Sequence, residues 1–314
     1  MDSSHTAQPI LGIALKVAST LVFTVMATLV KLLSDRYPIG ELTFFRSFFA
    51  LIPVFAWVGW RGQFPSVFYT QRLSDHVTRS ITGAAAMYCG FSALSLLPIA
   101  DATAIGYAAP LMTVALAVLL LGERVRAYRW SAVIVGLAGV LVILSDYAFP
   151  GTGGQERSIL GALFGIGSAS IGALASTQVR VLTRTDGAAT IVVYFSAFVA
   201  LLSLVTLPFG WALPDLADAG WLVLAGICGG LGQVLLTQSY RYGEASAIAP
   251  FDYTSMIWAL IVSLLVFGTW PSAIVLAGTA IVIGAGLFVI WREHQLGIER
   301  TRSKRAQTPT TPFS

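Results

Sequence analysis

Apolar runs of about twenty residues alternate with short polar breaks from residue 11 to residue 291. A helix rises about 1.5 Å per residue, so each run covers the roughly 30 Å of a bilayer's hydrocarbon. The pattern predicts spans over 11–33, 39–60, 77–100, 102–122, 128–146, 158–180, 187–209, 219–240, 245–267 and 271–291. Two junctions, near 100–102 and 240–245, are tight, and the Leu97-Pro98 and Tyr242-Gly243 breaks mark them as boundaries between separate helices. The expected fold is an all-α membrane protein of ten transmembrane helices.

Composition agrees. With 56% hydrophobic and 11% charged residues and a mean hydropathy of +0.78, the chain has more apolar surface than a soluble core hides. Residues 1–10 lack a positive cluster, and the first run exceeds a signal-peptide core, so it reads as an uncleaved span with Lys16 inside it.

The net charge of +4 comes from basic residues scattered among short loops, without the aromatic-interleaved stripe that nucleic acid would require. Cytoplasmic loops retain Lys and Arg. With the N-terminus inside, only Lys31, Arg36, Arg46 and Arg157 of the nineteen fall outside, and both termini are cytoplasmic. The basic segment 292–314, ending in Thr-Pro repeats, reads as a disordered tail lying against anionic lipid.

The run Asp101-Ala102-Thr103-Ala104-Ile105 is echoed 143 residues later by Glu244-Ala245-Ser246-Ala247-Ile248, and Gly83 matches Gly226 at the same offset. Tyr107 matches Tyr253, and Gly122 matches Gly268, at an offset of 146. The chain thus divides into five-span halves, 1–147 and 148–291. Because five is odd, the second half enters the membrane from the opposite side, a 5+5 inverted repeat.

Several of these features together resemble the drug/metabolite transporter superfamily, and its EamA-type ten-helix branch in particular. They are the acid-Ala-Thr/Ser-Ala-Ile turn, Pro110, Gly122-Glu123-Arg124, Lys31, Arg46, Gly136, Gly139, Ala249-Pro250-Phe251-Asp252-Tyr253 and Trp258. The second half departs at Gly268-Thr269-Trp270-Pro271, where the family usually has Gly-Glu. The resemblance implies a bacterial inner-membrane secondary transporter, commonly an exporter of amino acids, other metabolites or drug-like compounds, with a central cavity between the halves.

Among polar residues, Asp252 stands out as the only acid well inside a span, two positions after Pro250, whose missing amide frees a carbonyl and predicts a broken helix able to meet a substrate. It is either a transport carboxylate or a structural one satisfied by Tyr, Ser or amide neighbours. Helical spacing puts Tyr88, Ser92 and Ser95 on one face, Thr103, Tyr107 and Pro110 on another, and Gln233, Thr237 and Tyr240 on a third. The expected substrate-binding set is Tyr88, Ser92, Thr103, Tyr107, Gln233, Thr237, Asp252, Tyr253, Ser255 and Trp258. The alternative for each is an interhelical hydrogen bond of about 0.6–2 kcal/mol. Lys31, Glu41 and Arg46 are expected to form an ion network at the outer mouth.

Other chemistry is excluded by what the spans lack. His5, His76 and His294 fall in terminal or loop segments, and Cys89 and Cys228 stand apart, so no intramembrane metal site or enzyme is expected. No Gly-Lys-Ser/Thr phosphate loop is present, and Gly151-Thr152-Gly153-Gly154 reads as an outer link, so neither cofactor nor ATPase subunit is expected. The expected partners are a small-molecule substrate and membrane lipid. The function expected is alternating-access export of amino acids or related metabolites. Uptake of a larger nucleoside-like or vitamin metabolite, or a channel, stands as the alternative.

Overall fold

The computed structural model describes residues 9–121, 127–148, 159–183, 185–242 and 248–307, and all secondary structure among them is helical. The first three spans are α1 (Pro9–Leu33), α2 (Ile39–Trp60) and α3 (Leu73–Leu96). The fourth is split into α4 (Ile99–Gly106) and α5 (Ala108–Leu121), and the fifth is α6 (Ala127–Ala148). There follow α7 (Ile159–Leu182), α8 (Ala188–Ser203) and α9 (Leu216–Tyr242). The ninth span joins a 3-10 turn, Ala249–Tyr253, to α10 (Thr254–Leu265), and the last is α11 (Ala273–Gln307).

Seven described segments are long and apolar enough to cross a bilayer, while Ala249–Leu265 is a shorter apolar helix. α3 is also 24 residues long, but its opening turns hold Asp75, His76 and Arg79. The repeat sequence Glu244–Ala247, the corner Gly122-Glu123-Arg124 and the link Gly151–Gly154 lie outside the described residues.

Several helix ends and breaks differ from the apolar windows. The third span ends at Leu96 rather than 100, because Leu97 is extended (φ −120°, ψ 155°), as a residue before proline prefers, and Pro98 opens the fourth span. The fourth span, expected to be continuous over 102–122, breaks at Tyr107. Pro110 has no amide to give the Gly106 carbonyl four residues back, and it sits instead in the first turn of α5, where a missing N–H leaves nothing unsatisfied. The ninth span carries Pro250 in its 3-10 turn, and regular α-helix begins only after Tyr253. At the C-terminus, helix continues to Gln307 where a disordered tail was expected from Arg292.

The main helix contacts cross between the first and second five spans. α1 packs along α9, α3 along α7, α2 against both α8 and α9, and α6 against α11. Glycine on both helices makes the α6–α11 crossing close enough for backbones to touch. A Cβ on Gly139 would lie 2.9 Å from the Gly278 carbonyl oxygen, and one on Gly278 would lie 2.7 Å from that of Gly139. The largest apolar cluster gathers Leu97, Ile105 and Tyr107 with Ile143, Met256, Val275 and Val282, and so surrounds the broken fourth span.

Candidate functional site

The two helix breaks meet. Tyr107 and Tyr253 stack edge to face with ring centroids 5.1 Å apart. The Tyr107 hydroxyl shares a 2.8 Å hydrogen bond with Ser255 Oγ and donates to the Tyr253 carbonyl at 3.4 Å. Three residues of the expected set therefore form one group.

Beside them Asp252 is ion-paired with Lys16 of α1, with Nζ 2.5 Å from Oδ1. The Lys16 side chain is 3% exposed, whereas Asp252 is 51% exposed, so the carboxylate keeps an open face. Lys16 Nζ also donates to the Tyr240 hydroxyl at 3.4 Å and lies 5.2 Å from that ring's centroid. One turn along α1, Thr20 Oγ1 lies 2.8 Å from Thr254 Oγ1 and accepts from Trp258 Nε1 at 3.3 Å. Polar contacts thus clasp α1 to the ninth span. Lys16 is the residue the sequence reading missed. Its signal was a lone lysine inside an apolar run, counted there only as a cytoplasmic charge.

A cavity of about 810 Å³ opens at the end of the bundle where α2, α7 and α9 finish. Its wall includes Trp57 and Arg61 of the α2 end, Gln63 and Tyr69 of the following linker, Asp186 and Thr190 near the start of α8, and Thr237, Gln238 and Tyr240 of α9. Tyr240 therefore touches both this cavity and Lys16. Arg61 Nη2 donates to Gln238 Oε1 at 3.1 Å and lies over the Trp57 ring. Asp186 accepts from Thr70 at 3.1 Å and pairs with His76 Nε2 at 3.2 Å. His76, assigned to a polar loop from sequence, is buried in α3 and stacked on Tyr194.

The remaining expected residues are dispersed. Thr237 lines the large cavity, and Thr103 lines a smaller one of about 320 Å³ between α1, α3, the fourth span and α7. Both hydroxyls bond their own helix, to Gln233 O at 2.8 Å and Ile99 O at 2.7 Å. Ser92 is buried, and Tyr88 is exposed on α3. Asp252 is not the sole acid at depth. Asp101 is buried and accepts from the Tyr147 hydroxyl, and buried Asp146 accepts from Ser272 Oγ at 2.6 Å.

At the opposite end, Lys31, Glu41 and Arg46 do not pair with one another among the described residues. Lys31 Nζ donates to the Leu94 and Leu97 carbonyls at 2.9 and 2.6 Å, closing the C-terminal end of α3, where carbonyls lack intrahelical donors. Glu41 accepts from the Ala212 amide at 3.1 Å, and Arg46 is buried in the bundle. The ion pair there is Arg36 with Asp218 at 3.0 Å, reinforced by the Tyr37 hydroxyl at 2.9 Å. The hydrogen bond from Arg36 to Asp218, with the charge of that carboxylate, raises the Arg36 guanidinium above its ordinary pKa. Among the described residues no three His, Cys, Asp or Glu side chains cluster as metal ligands do.

Known proteins resemble this chain along most of its length. A model described as the EamA-like transporter family matches residues 10–145 and again residues 159–291. The chain is 29% identical over 279 residues to the pseudopaline exporter CntI of Pseudomonas aeruginosa, covering 87% of this chain and 94% of that one. It is 27% identical over 265 residues to an S-adenosylmethionine uptake transporter of Rickettsia bellii, covering 84% and 88% respectively. One solved crystal structure superposes with a TM-score of 0.64 at 22% identity, over 88% of this chain and 95% of that chain, which shows a shared fold.

Proposed function

We propose that this chain, which belongs to the EamA-like transporter family and is a multi-pass membrane transporter, exports amino acids or related small metabolites by alternating access between two oppositely inserted five-span halves. The observation that carries the proposal is the meeting of the broken fourth and ninth spans at Tyr107, Tyr253 and Ser255, beside the half-exposed Asp252 carboxylate. Helix breaks within spans expose backbone groups that a solute can use, and an ionisable group within a span is costly to keep and so commonly marks a solute or ion path.

Several observations support the inverted arrangement. Tyr107 and Tyr253 are repeat-related by sequence and touch each other, as residues near the axis relating two halves must. The family matches twice, once over each five-span half. A Cβ on Gly83 of α3 would lie 2.5 Å from Phe195 of α8, and one on Gly226 of α9 would lie 2.5 Å from Phe49 of α2. Exchanging the halves turns the first contact into the second. It likewise turns the α1–α9 packing into that of α7 with α3.

In this reading the substrate ammonium competes with Lys16 for Asp252, and binding loosens the clasp between α1 and the ninth span. That differential contact is what lets a ligand shift the balance between conformations. Uptake of a nucleoside-like metabolite is the second reading, favoured by the name of the Rickettsia relative and by a cavity large enough for either class.

Counterflow in proteoliposomes tests the proposal. Vesicles preloaded with one amino acid or with S-adenosylmethionine are expected to accumulate the same labelled solute transiently and saturably. Flux that grows linearly with concentration and shows no counterflow would identify a pore instead.

A further inference from the structure

Among the described residues two arginines, Arg46 buried in the bundle and Arg79 partly buried, have no carboxylate within ion-pair distance. Arg46 follows the start of α2 by seven residues, about 10 Å along the helix, and Arg79 follows the start of α3 by six, about 9 Å from the other face. The Arg79 side chain runs on toward mid-depth, because its Nη1 fills the notch that Gly83 leaves one turn further along α3. Arg46 passes a second notch, with Nε 3.0 Å from where a Cβ on Gly229 of α9 would stand. The two arginines approach one another across α2 and α3, since Ser47, next to Arg46, has its Oγ 3.9 Å from Met87 Sδ, one turn beyond Gly83.

Arg46 is 5% exposed, and its Nε has no hydrogen-bond partner. Arg79 Nε and Nη1 are likewise shielded and unpartnered, although the guanidinium rests on the Phe195 ring at 4.2 Å. Like charges at membrane depth repel and are poorly solvated, and a cation–π contact offsets only about 0.5–2 kcal/mol of that. Guanidinium groups, however, offer forked donors that match a carboxylate two bonds at a time.

The geometry points to Arg46 and Arg79 as the site that receives the carboxylate of the transported metabolite, so that the substrate class is a carboxylate-bearing metabolite rather than a neutral or purely cationic one. This rests on the carrier reading above. Asp252 and Lys16 lie beside Tyr240, whereas Arg46 lies beside Gly229, eleven residues away on α9, about 16 Å along that helix. A single α-amino acid is too short to touch both sites at once. A small amino acid would therefore visit them in succession, and an elongated amino-carboxylate would bridge them.

Thermal unfolding of the purified full chain in detergent tests the assignment without requiring transport. Sodium glutamate and sodium citrate are compared with sodium phosphate and sodium chloride at matched ionic strength. The expected result is a rise in Tm of about 5 °C with at least one carboxylate at a hundredfold excess over its Kd, and none with chloride. Arg46→Gln and Arg79→Gln are expected to abolish that rise, and Arg79→Lys to retain part of it. Each Gln variant should also unfold no lower than wild type in chloride, since it removes an uncompensated charge; a purely structural arginine would give a lower Tm. A phosphate response equal to that of the carboxylates would overturn the assigned class, and wild-type carboxylate responses in both Gln variants would overturn the site. If the carboxylate response holds while counterflow fails, the carrier reading falls and the anion site stands. If counterflow proceeds unchanged in both Gln variants, the reverse is true.

Discussion

Replacing Asp252 by Asn is expected to reduce counterflow at least tenfold while leaving a monodisperse protein in the membrane fraction. Two effects act together. The substrate loses its carboxylate partner, and Lys16, 3% exposed, loses its counter-ion. Breaking a fully buried ion pair costs about 3–5 kcal/mol, and the cost here is smaller because Asp252 is 51% exposed. The double variant Lys16→Met with Asp252→Asn separates the two effects. Removing both charges relieves the stranded ammonium, so stability should return, measured as yield and Tm by fluorescence-detected size exclusion. Flux should stay low if Asp252 meets substrate. Recovery of flux in the double variant would mean that the pair is only a brace.

Linking α1 to the ninth span should stop transport altogether. Thr20 and Thr254 present hydroxyl oxygens 2.8 Å apart, close enough for cysteines at the same positions to form a disulfide after small side-chain adjustment. In a background with Cys89 and Cys228 replaced by alanine, oxidised Thr20→Cys/Thr254→Cys protein is expected to lose more than nine-tenths of its counterflow and to regain it on reduction. Alternating access requires that contact to open in each cycle. Undiminished flux through the cross-linked protein would place the moving interface elsewhere.

Span positions were legible in the sequence because crossing a bilayer imposes a length. α1, α2, α6 and α7 begin and end within about two residues of the apolar windows. The helix breaks were unequally legible, because Pro250 inside an apolar run announces the ninth-span break, whereas the break at Tyr107 needs no polar residue. Their marks are Pro110, four residues after the carbonyl it leaves free, and Pro250 in the 3-10 turn. The Lys16–Asp252 pair joins residues far apart in the chain, and hydropathy carries no information about which distant helices adjoin. Charge counting treated Lys31 as part of an outer network, but a lysine beside a helix C-terminus is drawn to free carbonyls, and those of α3 hold it. Thr103 and Thr237 share faces with the correct neighbours, yet a hydroxyl within reach of the carbonyl four residues back bonds there first.

A carrier site between the halves requires that the two halves be inserted in opposite directions. The most direct test of that arrangement uses the linkers that occupy equivalent places in each half, the α2–α3 linker with Tyr69 and the α8–α9 linker with Leu213, which are 76% and 100% exposed. In the cysteine-free background, a membrane-impermeant maleimide added to intact cells is expected to label Leu213→Cys and to reach Tyr69→Cys only after permeabilisation. Labelling of both positions from the same side would mean that the halves run parallel, and a carrier site between inverted halves could not exist.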